Sequence, residues 1–347
     1  MMVTVSGWDI GGAHLKAALT DSQGKVIACT QVVCPLWQGL DQLTTAFEQI
    51  KYKLGSIGHI AVITMTGELV DIFKDRCEGV VAILNYARQF FTDIPIYIFA
   101  GTHGFIQLEQ SYKFTTSIAS ANYLATSQLA ANFWHEGLLL DIGSTTSDLV
   151  PFKNKTPCLQ GIDDHTRLIS GELVYSGVVR TPLMAICEKA PFYGNWVRLT
   201  AEHFSTTADV YHMLGLLPQD VDLYPSADHR GKSPQDCARR LARMIGIDYK
   251  NRPLDFWYQL AAYFYEKQCQ QLTVAIFQIL SKTSLVAEAP IIGVGIGRFL
   301  AIECAKRINR PYFDFSKVLK LGVDTIDSSH GPAAAIAQLG WEQLQKH

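Results

Sequence analysis

The sequence predicts an α/β protein made of two related domains, and three observations carry that expectation. Residues Trp8 to Lys16 (Trp-Asp-Ile-Gly-Gly-Ala-His-Leu-Lys) and Leu139 to Asp148 (Leu-Leu-Asp-Ile-Gly-Ser-Thr-Thr-Ser-Asp) read almost as one phrase written twice. The chain ahead of the second copy alternates strand-like and helix-like periodicity in the order β-β-β-α-β-α-β-α, as helices covering a mixed sheet require. The length, 347 residues, holds two domains of ordinary size, and 48% hydrophobic against 18% charged residues describes a well-buried chain.

Each element follows from local pattern. Residues 3–9, 14–20 and 25–32 are apolar, β-rich runs, with Asp21-Ser22-Gln23-Gly24 as a turn between the last two. Leu40, Leu43, Phe47, Ile50 and Leu54 recur at helical spacing within 38–54. A short strand at 60–64, a helix over 71–90, a strand at 94–99 and an Ala-rich helix over 117–133 complete the first domain. The second hairpin spans 137–152. An irregular, glycine-punctuated stretch follows, from 153 to about 207, then a short helix over 209–217 and a loop over 218–232. Ser233-Pro234 starts a helix, with Ser233 as N-cap and proline at the first position. Residues 254–282 form the longest helical pattern, 289–298 a strand, glycine turn and helix start, and 331–345 a closing helix. The domains are expected at 1–134 with the closing helix (about 330–347), and at 135–329 with an inserted substrate-side segment over about 153–253.

Composition excludes several classes. A net charge of −2 with no basic block argues against nucleic acid. No apolar run approaches the roughly 18–20 residues of a membrane span. The start, Met-Met-Val-Thr-Val, has no basic n-region, so a cytoplasmic protein is expected. None of the eight cysteines forms a C-x-x-C pair, and the ten histidines show no H-E-x-x-H spacing, so the cysteines read as ordinary thiols in a reducing compartment. A homo-oligomer stays open.

The duplicated phrase carries the chemistry. Each copy ends a strand in an acid, turns through Ile-Gly and enters a second strand. Glycine lets a ligand approach the backbone, exposed turn amides and hydroxyls suit phosphate oxygens, and a carboxylate can hold Mg²⁺ directly or through water. The expected phosphate-binding residues are Gly11, Gly12, Gly143, Ser144, Thr145 and Thr146, and the metal-binding ones Asp9, Asp141 and Asp148. Asp9, Lys16, Asp148 and Glu172 are the candidate catalytic residues, Asp148 as metal ligand or base. Gly293, Gly295, Gly297 and Arg298 form a second glycine turn. It lacks the G-x-G-x-x-G spacing of a dinucleotide site. Gly231-Lys232-Ser233 lacks the earlier glycine of a P-loop. Asp228, Arg230 and Lys232 remain a dense polar loop able to clasp a diphosphate. With His14 and Arg180 they make up the substrate-side expectation. Each motif also has an ordinary alternative: a plain hairpin, a tight turn, a solvated loop.

The paired hairpins, the turn at Gly293–Gly297 and the Ala-rich helix after Gly331-Pro332 resemble the actin-like ATPase and sugar-kinase superfamily. That resemblance implies two ribonuclease-H-like domains with a cleft between them, facing one phosphate-bearing ligand. It makes Gly293 to Arg298 a nucleotide-binding motif, with ATP or ADP as an open cofactor. Closer detail is similar to the hydantoinase A/oxoprolinase-like branch. The carrying residues are Gly7 to Lys16, Thr64-Met65-Thr66-Gly67-Glu68-Leu69, Leu140 to Asp148, and Ser170 to Pro182. Within that branch the chain is most similar to a compact subgroup linked to tetrahydromethanopterin-dependent one-carbon metabolism and methanofuran-type cofactor synthesis. The implied reaction joins an aminomethyl-furanylmethyl diphosphate to the phenol of a tyramine or tyrosine derivative and releases pyrophosphate. Glu172 and Asp148 are the candidates for deprotonating the phenol. The competing classes are an ATP-dependent kinase or amidohydrolase, and a nucleotide-binding module without turnover.

Overall fold

A computed structural model describes residues 3–218, 220–250, 252–323 and 328–345. The chain divides into two compact units: Met1–Gly137, Phe152–Cys158 and Asp314–His347 form unit 1, and Leu138–Pro151 with Leu159–Phe313 form unit 2.

Unit 1 opens with the meander β1 (Val5–Ile10), β2 (His14–Thr20) and β3 (Val26–Val33). Helix α1 (Asp41–Leu54) leads to β4 (Ile60–Met65), α2 (Arg76–Phe90) to β5 (Ile96–Phe99), then β6 (Phe105–Gln107), α3 (Leu108–Ser111), α4 (Thr115–Ile118) and α5 (Asn122–Phe133). The sheet order is β3-β2-β1-β4-β5-β6, with β1 antiparallel to β2 and parallel to β4. Side-chain alternation along β1 assigns its two faces. Trp8 points into a core with Phe47 of α1 and Phe91 beyond α2, ring centroids 5.5 and 5.0 Å away. Gly7 and Asp9 point the other way, where the closing helix packs on Gly7.

Unit 2 begins with the second hairpin, β7 (Glu136–Ile142) and β8 (Ser147–Lys153), whose far end pairs with β9 (Thr156–Pro157). Then come α6 (Asp164–Ser170), β10 (Leu173–Val174), the hairpin β11 (Lys189–Phe192) and β12 (Asn195–Arg198), α7 (Thr207–Leu214), α8 (Pro234–Met244), α9 (Leu254–Leu280), β13 (Ile291–Val294), α10 (Arg298–Arg307) and β14 (Tyr312–Asp314). The closing helix of the chain is α11 (Gly331–Leu344). The second sheet runs β10-β8-β7-β13-β14, with β7 parallel to β13. Both sheets thus place a third, second, first, fourth and fifth strand in that order. This is the ribonuclease-H-like arrangement of the actin and sugar-kinase type, reached twice in one chain. The core of unit 2 joins Leu138, Leu140 and Ile142 to Trp257, Leu260 and Phe264 of α9.

The structure moves several expected boundaries. Helix α2 starts five residues after position 71, where Asp75 caps the Glu78 amide at 2.9 Å. The helix expected from 117 begins at Asn122, because Ser120 takes a φ of 53° that no helix continues. The stretch 153–207 is more regular than its composition suggests. It holds α6, closed by a capping box at Asp163, and the β11–β12 hairpin, turned through Tyr193 and Gly194 at φ of 48° and 75°. Ser233 caps α8 as expected, accepting the Asp236 amide at 3.3 Å with Pro234 behind it.

Candidate active site

In unit 1, Asp9 is the penultimate residue of β1. Its register partners are Lys16 on β2 and Thr64 on β4. Directly opposed residues share a face of the sheet, so Asp9, Lys16 and Thr64 stand together. Asp9 is 5% exposed, and Asn122, the first residue of α5, donates to its Oδ1 at 3.5 Å. Lys16 is half-buried and makes no ion pair among the described residues. The turn is closed by the Gly11 amide donating to the His14 carbonyl at 2.9 Å, and the Gly12 amide has no carbonyl acceptor among the described residues. His14 is buried at the start of β2, in register with Val33. Thr66 donates its amide to the Ile10 carbonyl at 2.9 Å, and a Cβ on Gly67 would stand 3.3 Å from the Gly11 carbonyl carbon. The Thr64–Leu69 stretch is therefore the back wall of the turn. Thr64, Gly67 and Asn122 join the expected residues here. The signal for Thr64 and Gly67 in the sequence was the glycine motif following a strand that pairs with β1, and Asn122 had none.

In unit 2 the turn is likewise half-buried. Gly143 donates to the Thr146 carbonyl at 2.8 Å, while the amides of Ser144, Thr145 and Thr146 meet no backbone acceptor among the described residues. A clamp holds the turn from behind. The amide of Val178 donates to the Gly143 carbonyl at 3.0 Å, and those of Val179 and Arg180 donate to the Ser144 carbonyl at 3.1 and 2.8 Å. Gly177 is required there, since a Cβ would lie 2.4 Å from the Thr145 nitrogen. A turn tied back through its carbonyls presents its amides forward, which is the geometry of an anion cradle. Arg180 continues outward, its guanidinium 5.6 Å from the Tyr224 ring centroid. The late glycine turn belongs to the same place. Gly297 donates to the Ile142 carbonyl at 2.8 Å, Arg298 folds onto the Gly295 carbonyl at 3.0 Å, and Val294 is the register partner of Asp141.

Two expected chemical roles meet different geometry. Glu172 is 2% exposed, and its two carboxylate oxygens accept the amides of Gln160 and Gly161 at 2.8 and 2.9 Å. The carboxylate ties down the loop ahead of α6, so its lone pairs are committed to backbone. Asp148 accepts from Arg167 at 2.8 Å. Burial pushes its carboxyl above the usual aspartate range, and the Arg167 guanidinium offsets only part of that. The polar loop also turns inward. Lys232 Nζ donates to the carbonyls of Asp222 and Tyr224, both at 2.7 Å, and pairs with the Asp222 carboxylate at 2.9 Å. Asp228 is held by Arg240 at 2.9 Å. Lys232 is thus a staple of the loop, and Arg230 alone of the three points outward without a side-chain partner among the described residues.

Mg²⁺ takes oxygen ligands and keeps several waters. Among the described residues no group of three His, Cys, Asp or Glu side chains converges on a metal position. The donor sets suit a hydrated ion touching one carboxylate, Asp9 in unit 1 or Asp141 in unit 2, and do not suit an ion caged by protein. No helix among the described residues is long and apolar enough to cross a membrane.

Known proteins resemble this chain. The family model described as hydantoinase/oxoprolinase matches residues 60–335. A curated protein of Methanocaldococcus jannaschii, (4-{4-[2-(gamma-L-glutamylamino)ethyl]phenoxymethyl}furan-2-yl)methanamine synthase, is 28% identical over 347 residues, covering all of both chains. The protein of the same name from Methanococcus vannielii is 26% identical over 135 residues, 37% of this chain and 58% of that one. Among solved structures, a ROK family glucokinase from Streptomyces griseus, in complex with glucose and AMPPNP, is 11% identical. It covers 97% of this chain and 98% of its own, with a TM-score of 0.48. The fold rests on the chain's own strand orders and not on that last likeness. With most of its length matched, the chain belongs to the hydantoinase/oxoprolinase family.

Proposed function

We propose that this chain is a transferase of methanofuran-type cofactor synthesis, in tetrahydromethanopterin-linked one-carbon metabolism. It joins an aminomethyl-furanylmethyl diphosphate to the phenol oxygen of a tyramine or tyrosine derivative and releases pyrophosphate. The observation that carries this reading is the end-to-end match to a relative named for making a phenoxymethyl-furan.

The chemistry asks for little. The methylene–oxygen bond of the ester breaks, with its electron pair leaving on pyrophosphate. The phenol oxygen closes the new ether bond, and the phenol proton passes to a base. The furan ring spreads the positive charge that develops at the methylene. Catalysis then depends on contacts that tighten as charge moves onto the departing phosphate. The forward-facing amides of Ser144, Thr145 and Thr146 support that role, as do Gly11, Gly12 and Lys16 in unit 1. Asp9 or Asp141 would hold a hydrated Mg²⁺, which would supply neutralisation of phosphate charge. Of the two candidate bases Asp148 suits better, because its carboxyl is raised toward the operating range while Glu172 is committed to amides.

The assay supplies the furanylmethyl diphosphate, Mg²⁺ and acceptor without ATP, and follows pyrophosphate and ether. Asp9→Ala, Lys16→Ala and Asp141→Ala are each expected to lower turnover by roughly 10²-fold or more. The second reading is an ATP-dependent kinase or a hydantoinase/oxoprolinase-like amidohydrolase, the latter supported by the description of the family. Strict dependence on ATP, with ADP formed in step with product, would replace the first reading by the second.

A further inference from the structure

Helix α8 carries Arg239, Arg240 and Arg243, and all three line a cavity of about 280 Å³ inside unit 2. Phe204, Ala227, Asp228 and Arg230 complete the wall. Four arginines thus face one aspartate.

The four do different work. Arg240 is 2% exposed and saturated. It grips Asp209 through Nε and Nη2 at 2.8 and 2.6 Å, and through Nη1 it reaches Asp228 at 2.9 Å and the Gly231 carbonyl at 3.0 Å. Arg240 therefore fixes the floor, its one charge shared between Asp209 and Asp228. The other three guanidiniums keep donors to spare. Arg239 uses one nitrogen on Asp236, at 2.8 Å. Arg243 lies 3.7 Å from Asp248, beyond hydrogen-bond range, and both side chains are about 60% exposed. Arg230 projects from the loop at the facing edge. Arg239 and Arg243 stand one helical turn apart, on the same side of α8, where two like charges repel. A planar guanidinium fork matches a carboxylate or phosphate with two parallel hydrogen bonds, and an anion between the forks removes the repulsion. Phe204 gives the cavity one apolar side for a short carbon spacer.

We propose that this cavity is a binding site for a small polyanion. Its oxyanion groups, a phosphate or a pair of carboxylates on a short carbon chain, are gripped by Arg230, Arg239 and Arg243 above the Arg240–Asp228 floor. None of the turn residues Gly143–Thr146 or Gly293–Gly297 lines it, although Asp228 and Arg230, expected on the substrate side, do.

Titration calorimetry of the full chain at low salt, with inorganic phosphate in one arm and glutarate in the other, tests this. At least one anion is expected to bind with a Kd on the order of 1 mM or tighter. Tighter binding of phosphate assigns the site to a phosphoryl group, and tighter binding of glutarate assigns it to carboxylates. The Arg239→Ala/Arg243→Ala variant, altered only at partly exposed side chains, is expected to weaken binding about tenfold or more with an unchanged melting temperature. Arg230→Ala is expected to weaken it by a smaller factor. Lys16→Ala, which alters the proposed phosphate cradle, is expected to leave it intact. Binding of neither anion, or equal affinity in the double variant and the parent, would overturn the proposal.

Discussion

Gly295 takes a φ of 83°, and a Cβ there would stand 2.5 Å from the Ile142 carbonyl oxygen and 2.7 Å from Asp141 Oδ1. Gly194 takes a φ of 75° in the β11–β12 turn with nothing within 4 Å of the same Cβ position. The pair separates backbone strain from close approach. Gly194→Ala is expected to cost about 1–2 kcal/mol, the penalty for an L-residue in the left-handed region. Gly295→Ala adds a collision with backbone and is expected to cost roughly 3 kcal/mol or more, with weaker diphosphate binding. Urea unfolding of both variants checks the order, and a Gly194 variant less stable than the Gly295 variant contradicts it. Glu172 offers a second test. Glu172→Ala strands the buried amide of Gly161, at about 1–3 kcal/mol, and releases that of the exposed Gln160 to water. Its activity is expected to fall with stability, with the pH–rate profile unshifted. A loss of the acidic limb of that profile at unchanged stability would return Glu172 to the role of base. The residues of the duplicated phrase were legible because acid, glycine and hydroxyls sit in one short run. The amide contacts of Glu172 were not legible, because sequence gives a carboxylate but not its acceptor geometry, and Asn122 was missed because it arrives from a helix more than a hundred positions away.

At the scale of elements, long periodic segments were legible and short capped ones were not. Helices α1, α9 and α11 announce themselves through spacing over three turns or more. Helix α6 has seven residues, too few for a period, and is held by its Asp163 capping box and by Glu172. The loop between α7 and α8 shows the same limit. Its basic residues suggested a clasp, while the structure spends Lys232 and His212 on Asp222. Burial pushes the Asp222 carboxyl upward, but hydrogen bonds from His212 and Lys232 outweigh it and hold the carboxyl below its ordinary range. A lowered folded-state pKa means that the ionised form is favoured by folding. The contribution is therefore fully present above the unfolded value of about 3.9 and is lost as pH falls through the lower folded value. The stability difference between the parent and Asp222→Asn is expected to be constant from about pH 5 to 7 and to shrink below pH 4. Chemical unfolding across that range measures it, and a difference that grows on acidification would show that the pair does not stabilise the loop.

For the molecule as a whole, the sequence carried the doubled topology because each half begins with the same hairpin phrase. It carried less of how the two ends of the chain are joined within unit 1. Ten consecutive residues of α11, Gly331–Gly340, are buried, and this helix packs on β1. Gly7 makes that approach possible. A Cβ on it would lie 2.2 Å from the Ala333 carbonyl oxygen and 2.7 Å from the Ala337 amide nitrogen. The atoms in the way are helix backbone, which gives far less readily than a side chain. Gly7→Ala is expected to cost about 1–3 kcal/mol or more through overpacking. For a chain of this size each kcal/mol lowers Tm by roughly 2–4 °C. The change acts by lifting α11 from the sheet, so limited proteolysis is expected to cut the variant within 331–345 before any site in unit 2. A chain ending at His330 removes the burial of Ile336 and Leu339, each about 1.5–3 kcal/mol, together with that of the alanines around them. Against a net stability of about 5–15 kcal/mol, that loss is expected to leave unit 1 unfolded. A Gly7→Ala protein that melts and resists protease like the parent would mean that α11 contributes little to holding the β1 strand, and with it Asp9, in place.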